Sequence, residues 1–374
     1  MIGSTGRNTG KTLFASRILE GYGKKHDITG VKVVTIDPER GNCPRGGKGC
    51  GVCTSLEGEF EITEETGLNP GKDTCRMLLA GAARVYFLKV RNDALEKGAR
   101  ALMEVIPGNS MVVCESNSLR KVVDPGRFIV VKNSGEEGIK ESCAEVISLA
   151  DKVIEYRNGK WDLDPSRLNI KNSSWAIREK ATAIVLAGGK SKRMGSDKSL
   201  LKIQGKTMVE IIVKQLEGHF DEIIVGSGES GKHSLPGCRV VPDRETGKGP
   251  LMGILSCLSV SRNEVNFVTA CDIPEINIKL VNKMINHSGD ADIVMPVTKG
   301  NKYEPLFAVY RKSVTGSIGK ILEKGGRRII ELLEYSKAIL IDFDGKEWYH
   351  NINSREDFED YLRKRKNNDE DTRQ

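Results

Sequence analysis

Lys198 and Arg193 stand with Gly188 and Gly189 in the string LAGGKSKRMGSDKSLL, residues 186–201. Glycines let a backbone approach a ligand closely and turn its N–H donors toward an anion. Lys and Arg side chains add charge-assisted bonds to phosphate oxygens. A second string, NFVTACDIP at 266–274, runs an apolar strand into Asp272. In parallel sheets ligands collect at the carboxyl ends of strands. A carboxylate there suits Mg²⁺, which takes carboxylate, phosphate and water oxygens. Taken alone, Asp272 reads sooner as a helix cap or a turn residue, which are common; beside the loop at 186–198 it reads as a metal carboxylate. A third acid, Asp243, ends RVVPD at 239–243. It can touch the ribose or base of a nucleotide, or simply close a turn. Asp272, Lys198 and Arg193 are therefore the candidate catalytic groups. Their chemistry would be nucleotidyl transfer, in which a phosphate attacks the α-phosphorus of a triphosphate. A metal and basic groups offset the repulsion between the two anions, and no Ser–His–Asp or Cys–His triad is needed.

The first residues carry a separate constellation, GSTGRNTGKT at 3–12. Gly10, Lys11 and Thr12 match the end of a Walker A loop, where backbone amides and Lys hold phosphates and Thr reaches Mg²⁺. The helix expected after it, LFASRILEGYG, adds the dipole of its N-terminus. The motif's first glycine belongs at position 5, where the chain has Thr5, and only MIG precedes the loop. MVVCESN at 111–117 ends an apolar strand in Glu115, which is either a second acid for that metal or a turn glutamate. Cys43, Cys50 and Cys53 lie in CPRGGKGCGVC, and Cys75 follows. Four thiols suit Zn²⁺ or an iron–sulfur cluster. The spacing is not a standard framework, so free cysteines in a Gly-rich loop and a redox pair stay open. Cys114, Cys143, Cys257 and Cys271 sit in apolar contexts and read as small core residues. Cys238 has no assigned role, and the five histidines are scattered.

The elements that must position these residues follow an α/β rhythm. The 374 residues allow two or three domains, and 29% charged with 38% hydrophobic residues fits a soluble globular chain. The net charge of +7 is spread along the chain, which favours small phosphorylated ligands over nucleic acid. No apolar run approaches the length of a membrane span. With no apolar signal region at the start and nine cysteines in the chain, a reducing, cytoplasmic setting is expected. In residues 1–155 the apolar runs VKVVTI (31–36), MVVC (111–114) and FIVV (128–131) alternate with helical patterns such as GIKESCAEVISLA (138–150). That alternation predicts a largely parallel sheet. Residues 156–180 are polar and aperiodic and read as a joint, with Trp161 and Trp175 docking it on a neighbour. From 181 to 363 the rhythm restarts: strands at 182–187, 222–227, 266–271, 292–296, 305–310 and 338–343, with helices at 207–217 and 250–260. The tail 364–374 is expected to be disordered.

LAGGKSKRMGSDK resembles the signature of the nucleotidyltransferases that attach a nucleotide to molybdopterin, most of all the molybdenum cofactor guanylyltransferases. VVPD, GKGPLMGI, TACDIP, EPLFAVY (304–310), GGRRIIELL (325–333) and NINSREDF (351–358) follow in the family's order. The resemblance spans about residues 181–363 and implies a Rossmann-like nucleotidyltransferase domain. It implies a Mg²⁺-dependent reaction in which GTP and molybdopterin bearing molybdenum or tungsten give the guanine dinucleotide cofactor and pyrophosphate. By the same resemblance Leu186, Ala187, Gly188 and Gly189 would contact the guanine nucleotide. Lys198 would neutralise the triphosphate, Asp243 would bind nucleotide, and Asp272 would carry Mg²⁺. Asn351 and Asn353 would sit near the metal or the pterin phosphate. Family members often carry Asn after the second strand; here that region reads VGSGES (225–230), and the contact has no assigned residue.

The first half resembles the molybdopterin-guanine dinucleotide biosynthesis adaptor family, small P-loop proteins, through GRNTGKT (6–12) and GKDTCRMLLAGA (71–82). The expected fold class is thus α/β, an N-terminal P-loop NTPase-like domain followed by the Rossmann-like domain. The adaptor resemblance does not supply the cysteine-rich insertion. A cytidylyltransferase acting on the same pterin, or a sugar-nucleotide transferase, is the alternative enzyme; LAGG rather than LAAG leans to the guanylyl branch. A different class is a nucleotide-switched carrier that delivers cofactor or metal to an acceptor molybdo- or tungsto-enzyme. Neither nucleic acid nor membrane is an expected partner.

Overall fold

The computed structural model describes residues 1–6, 8–37, 56–133, 135, 138–188, 198–298, 302–342 and 351–371. It divides into two compact units, Met1–Ile177 and Arg178–Gln374.

The first unit holds β1 (Ile2–Ser4), β2 (Ile28–Ile36), β3 (Phe60–Glu64), β4 (Arg84–Arg91), β5 (Met111–Glu115), β6 (Ile129–Asn133), β7 (Lys152–Arg157) and β8 (Lys160–Trp161). They form one sheet in the order β3-β4-β2-β5-β1-β6-β7-β8. β3 and β8 are antiparallel to their neighbours and the other pairs are parallel. Three residues suffice for β1 because it lies between β5 and β6, with Ile2 opposite both Glu115 and Ile129. Helices cover both faces, so the strands are apolar runs rather than alternating ones. Phe14, Ile18 and Leu19 of α1 (Lys11–Tyr22) and Met77 of α2 (Asp73–Leu79) bury with Val85, Val113 and Ile154. Leu95, Ala99 and Leu102 of α3 (Leu95–Val105) bury with Val31, Leu88 and Val90; their spacing of four and three makes one helical face.

Two expectations for this unit are corrected. The helical pattern at 138–150 is broken into a short α4 (Glu141–Ala144) and a separate 3₁₀ turn, Ile147–Leu149. Val146 between them has φ −126 and is buried with Cys143, Phe128 and Val130; tertiary packing overrides a weak helix propensity. The stretch 156–180 is not an irregular joint. Asn158 and Gly159 take positive φ and close the β7–β8 hairpin, as type I′ turns require. Asn172 and Ser173 do the same between β9 (Leu168–Lys171) and β10 (Ser174–Ile177). Trp161 meets Phe14 edge-on at 5.2 Å, and Trp175 meets Tyr22 at 5.6 Å while donating to the Val112 carbonyl at 3.0 Å. These rings seal residues 160–177 onto α1.

The second unit is built on β11 (Glu179–Leu186), β14 (Phe220–Gly228), β15 (Arg239–Pro242), β16 (Val265–Ala270), β17 (Ile293–Thr298), β18 (Lys302–Tyr303), β19 (Phe307–Arg311) and β20 (Ala338–Asp342). The sheet order is β15-β14-β11-β16-β19-β17-β18, with β20 also beside β17. β15, β14, β11 and β16 run parallel, and β19 reverses against β16. A small hairpin, β12 (Lys202–Ile203) and β13 (Lys206–Thr207), precedes α5 (Met208–Leu216). Thr207 and Glu210 cap α5 reciprocally, which fixes the start of that helix. α5 and α7 (Ile278–His287) cover one face of the sheet; α6 (Pro250–Val260) and α8 (Thr315–Glu323) cover the other. α9 runs from Arg355 to Asp371, so the helix continues past position 364 where disorder was expected. Extending an existing helix costs far less than nucleating one. Among the described residues no helix is long and apolar enough to cross a membrane.

Candidate functional site

In the second unit the carboxyl ends of β11 and β16 bring the predicted groups together. Ala187 follows β11, and its N–H donates to the Gly226 carbonyl at 2.7 Å. Gly188 comes next; a Cβ there would lie 3.0 Å from the backbone of Gly228, so only glycine fits this close approach without a shift. Asp272 follows β16. The helix after it takes its cap from Asn277, whose side chain accepts the Leu280 N–H at 3.0 Å. The Asp272 carboxylate is therefore not used as that cap. It faces Lys198 instead, with Nζ 3.6 Å from Oδ2.

The segment 351–354 closes over the same point. The Ile352 N–H donates to the Asp272 carbonyl at 2.9 Å, and the Ile352 side chain is buried with Ile203, Met208 and Tyr361. Lys198 Nζ donates to Asn353 Oδ1 at 3.3 Å. Asp357 accepts the N–H groups of Asn353 and Ser354, both at 2.8 Å, and Ser354 Oγ accepts the Asp357 N–H at 3.1 Å. That reciprocal cap sets the start of α9 and the pose of the two asparagines. Asn351 Oδ1 is buried and has no hydrogen-bond partner, which marks it as an acceptor waiting for a donor or a cation. Asp272, Asn351 and Asn353 each carry a side-chain oxygen, the donor type Mg²⁺ takes.

Asp243 follows β15 and is half-buried, and burial raises its carboxyl above the usual range. Asp243 Oδ1 lies over Gly253 in the first turn of α6, where an added Cβ would meet it at 3.4 Å, an ordinary contact. Burial, with Asp243 nearby, pushes the Cys257 thiol up to about 12; Cys257 is inert core. Lys232 was not anticipated, yet its Nζ donates to the Ala187 carbonyl at 2.7 Å. Gly189 and Arg193 lie outside the described residues.

The first unit gathers a second constellation. Gly10 has φ +73 and caps α1, and a Cβ there would strike the Tyr156 ring at 2.9 Å. Lys11 and Thr12 open the helix. Thr12 Oγ1 donates to Glu115 Oε2 at 3.1 Å, and Lys11 Nζ lies 3.9 Å from the same oxygen. Glu115 is a fully buried strand residue, not a turn glutamate. Lys32, its cross-strand neighbour on β2, donates to Oε2 at 2.6 Å and to Asp73 Oδ2 at 2.9 Å. Burial opposes charge on Lys32, but the carboxylates of Glu115 and Asp73 outweigh it and raise its pKa. Lys11 goes the other way: burial, then repulsion from Lys32, lower it to about 8, against the pull of Glu115. Glu115 Oε1 is buried without a partner. Lys32 and Asp73 were not singled out from the sequence, although a lone lysine inside VKVVTI signals a buried partner.

Cys43, Cys50 and Cys53 lie outside the described residues. Cys75 is buried on α2. Among the described residues no three His, Cys, Asp or Glu side chains gather as a metal site. Cys114 and Cys143 are buried free thiols, while Cys238 and Cys271 are partly exposed.

The MobA-like NTP transferase domain model matches residues 183–338. A protein of Natranaerobius thermophilus is 35% identical over 198 residues, covering 49% of this chain and 95% of that protein. One of Peptoclostridium acidaminophilum is 35% identical over 194 residues, covering 48% and 87%. One of Clostridium perfringens is 34% identical over 196 residues, covering 50% and 98%. Each of the three is named "Probable molybdenum cofactor guanylyltransferase".

Proposed function

The chain belongs to the molybdenum cofactor guanylyltransferases through its MobA-like NTP transferase domain, and we propose from that premise how its residues divide the work. The protein is a nucleotidyltransferase that transfers GMP from GTP to molybdopterin, giving the guanine dinucleotide and pyrophosphate. The observation that carries the site assignment is the convergence of Lys198, Asp272 and Asn353 at the ends of β11 and β16. Leu186, Ala187 and Gly188 present main-chain edges to the nucleotide. Lys198 holds the triphosphate, and Gly189 and Arg193 of the same loop take the same task on sequence grounds. Asp243, kept half-buried, meets the nucleoside. Asp272 holds Mg²⁺, with Asn351 and Asn353 beside it, toward the incoming pterin phosphate. Mg²⁺ supplies charge neutralisation of the triphosphate and of the leaving pyrophosphate. The chain's own part is to align two anions, and that positioning accounts for much of the rate. The test is incubation with Mg²⁺, molybdopterin with and without molybdate, and GTP, CTP or ATP separately. Pyrophosphate and a dinucleotide with GTP are expected; product with CTP alone would move the enzyme to the cytidylyl branch.

For the first unit the buried constellation around Glu115 favours a second reading, a P-loop-like nucleotide site. Gly10 turns the backbone into α1, Lys11 and the helix N-terminus face phosphate, and Thr12 with Glu115 holds Mg²⁺. Its job would be that of a nucleotide-switched carrier to an acceptor molybdo- or tungsto-enzyme. In the full chain, Lys11→Ala should leave dinucleotide formation intact and abolish loading of an acceptor apoenzyme; equal loading would refute it. For Cys43, Cys50 and Cys53 with Cys75 a Zn²⁺ or iron–sulfur site is one proposal, against free cysteines or a redox pair. Stoichiometric metal in anaerobically purified protein that survives Cys50→Ser/Cys53→Ser would rule out ligation by that pair.

A further inference from the structure

The loop that carries Asp272 is held from α5 by a side chain that plays no part in the chemistry described so far. We propose that Gln215 is a positioning residue for the reaction: it fixes the main chain after Asp272 and so sets where that carboxylate meets Mg²⁺. The inference rests on the metal role given to Asp272 above.

Gln215 is the penultimate residue of α5, four positions after Ile211 and therefore on the same side of the helix. Met208, Ile211, Ile212 and Leu216 make that helix largely aliphatic where it is buried. An amide among them has to find polar partners, and it finds them on the loop between β16 and α7. Its Nε2 donates to the Pro274 carbonyl at 2.8 Å and to the Ile211 carbonyl at 3.3 Å. Its Oε1 accepts the Ile276 N–H at 3.0 Å. One amide thus satisfies two main-chain groups of a segment that has left the sheet.

The rest of the loop is pinned around the same point. The Cys271 N–H donates to the Leu186 carbonyl at 3.0 Å, and the Asp272 carbonyl accepts from Ile352 at 2.9 Å. Ile273 and Ile276 bury in one cluster with Val213 and Leu216 of α5. At 3.6 Å the Lys198 ammonium is too distant to fix the Asp272 carboxylate by a hydrogen bond, so the main chain on either side sets its place. α5 is a suitable anchor because the other site segments lean on it too. The Met208 N–H donates to the Leu201 carbonyl at 2.9 Å, and the Leu201 N–H to the Lys198 carbonyl at 3.2 Å. Ile211 buries with Ile352, which stands between the two asparagines. One helix therefore meets the Lys198 turn at its start, the asparagine segment along its side and, through Gln215, the Asp272 loop near its end. Losing a contact that orients a metal ligand typically costs about 10–100-fold in metal affinity or activity.

The experiment uses the full chain with Gln215→Met, which keeps the length and loses both partners, and with Gln215→Glu. The glutamate keeps the acceptor for Ile276 and sets a carboxylate oxygen against the Pro274 carbonyl. Dinucleotide formation is measured across Mg²⁺ and GTP concentrations. Amide exchange of residues 272–277 is followed by mass spectrometry in protein free of metal and nucleotide. Both variants should raise the Mg²⁺ needed for half-maximal turnover about tenfold. Because Lys198 does not depend on Gln215, KM for GTP at saturating Mg²⁺ should stay within about twofold. Exchange of 272–277 should quicken while that of β16 stays as in the unaltered chain. A lower maximal rate with an unmoved Mg²⁺ midpoint would make Gln215 merely structural and overturn its role. Unchanged midpoints and exchange in both variants, beside an Asp272→Ala chain that has lost turnover, overturn it as well and leave the metal site standing. Full turnover in Asp272→Ala overturns both.

Discussion

Each unit places a carboxylate against a lysine at a strand end, and the two are held in contrasting ways. Glu115 is completely enclosed and takes Lys32 at 2.6 Å, Thr12 at 3.1 Å and Lys11 at 3.9 Å. Asp272 leaves a quarter of its side chain in solvent and has Lys198 at 3.6 Å. A charge withdrawn from water must be paired in the resting protein or the fold is penalised. A charge left partly in water can wait for its ligand, and its resting pair is weak. The first site is thus assembled in advance and bound up with stability. The second is poised, and Asp272 and Lys198 can change at little cost to the fold.

Removing each carboxylate should separate chemistry from stability. Asp272→Ala should lower dinucleotide turnover by about three orders of magnitude, the scale of losing a metal's charge stabilisation. Its unfolding free energy should move by less than about 1 kcal/mol. Near wild-type turnover at saturating Mg²⁺ and GTP would sink the assignment of Asp272. Glu115→Ala should do the reverse. It strips a buried carboxylate from Lys32, with only Asp73 left to compensate, and should cost about 3 kcal/mol in denaturant unfolding. A shift under about 1 kcal/mol would show that the first site is as open as the second.

Acid–base behaviour sharpens the same contrast. Lys32 on β2, Glu115 on β5, Asp73 on α2 and Lys140 all act on Lys11, and with burial they set it near 8. A lowered lysine is charged below its pKa and neutral above it. Triphosphate affinity at the first unit should therefore be flat below about pH 7. It should fall by up to about tenfold per unit as pH rises past 8. The pH-dependent part should vanish in Lys11→Ala. A fall that persists in that variant would place the titrating group elsewhere.

How much of this was legible differs by cause. Asp272 and the glycines at 188–189 stand out only as a pair: a strand-end acid or a glycine turn alone is common, whereas a basic glycine turn and an acid at the ends of two strands of one α/β unit point to a phosphate ligand. Asn351 and Asn353 were legible only through resemblance; nothing local in NINSREDF explains why one asparagine meets Lys198 and the other is left unpartnered. The stretch 156–180 was misjudged on polarity, although Asn158-Gly159 is itself the strongest short hairpin signal. Its aromatic and aliphatic residues bury one face against α1, and two-residue turns hide that alternation. Lys32 was passed over as part of an apolar strand, when an ammonium in a central strand requires a buried acid. Lys232 had no readable signal, since the main-chain carbonyl it meets lies 45 residues away.

The smallest expected effect comes from a matched pair of lysine changes. Lys198→Met breaks an ion pair that is partly solvated on both sides and longer than a hydrogen bond. Such pairs contribute about 0–1 kcal/mol, and the methionine keeps the apolar stem. Stability should change by less than about 0.5 kcal/mol, while GTP binding at the second unit weakens and loses part of its salt dependence. Lys32→Met removes an ammonium of the same length from between two carboxylates, one of them fully buried. It leaves Glu115 with Thr12 and a lysine 3.9 Å away. That substitution should cost at least about 2 kcal/mol and, with its repulsion gone, let Lys11 keep its proton to higher pH. Paired denaturant titrations measure the difference directly. Equal costs for the two lysines would mean that burial of the carboxylate does not set the character of each site.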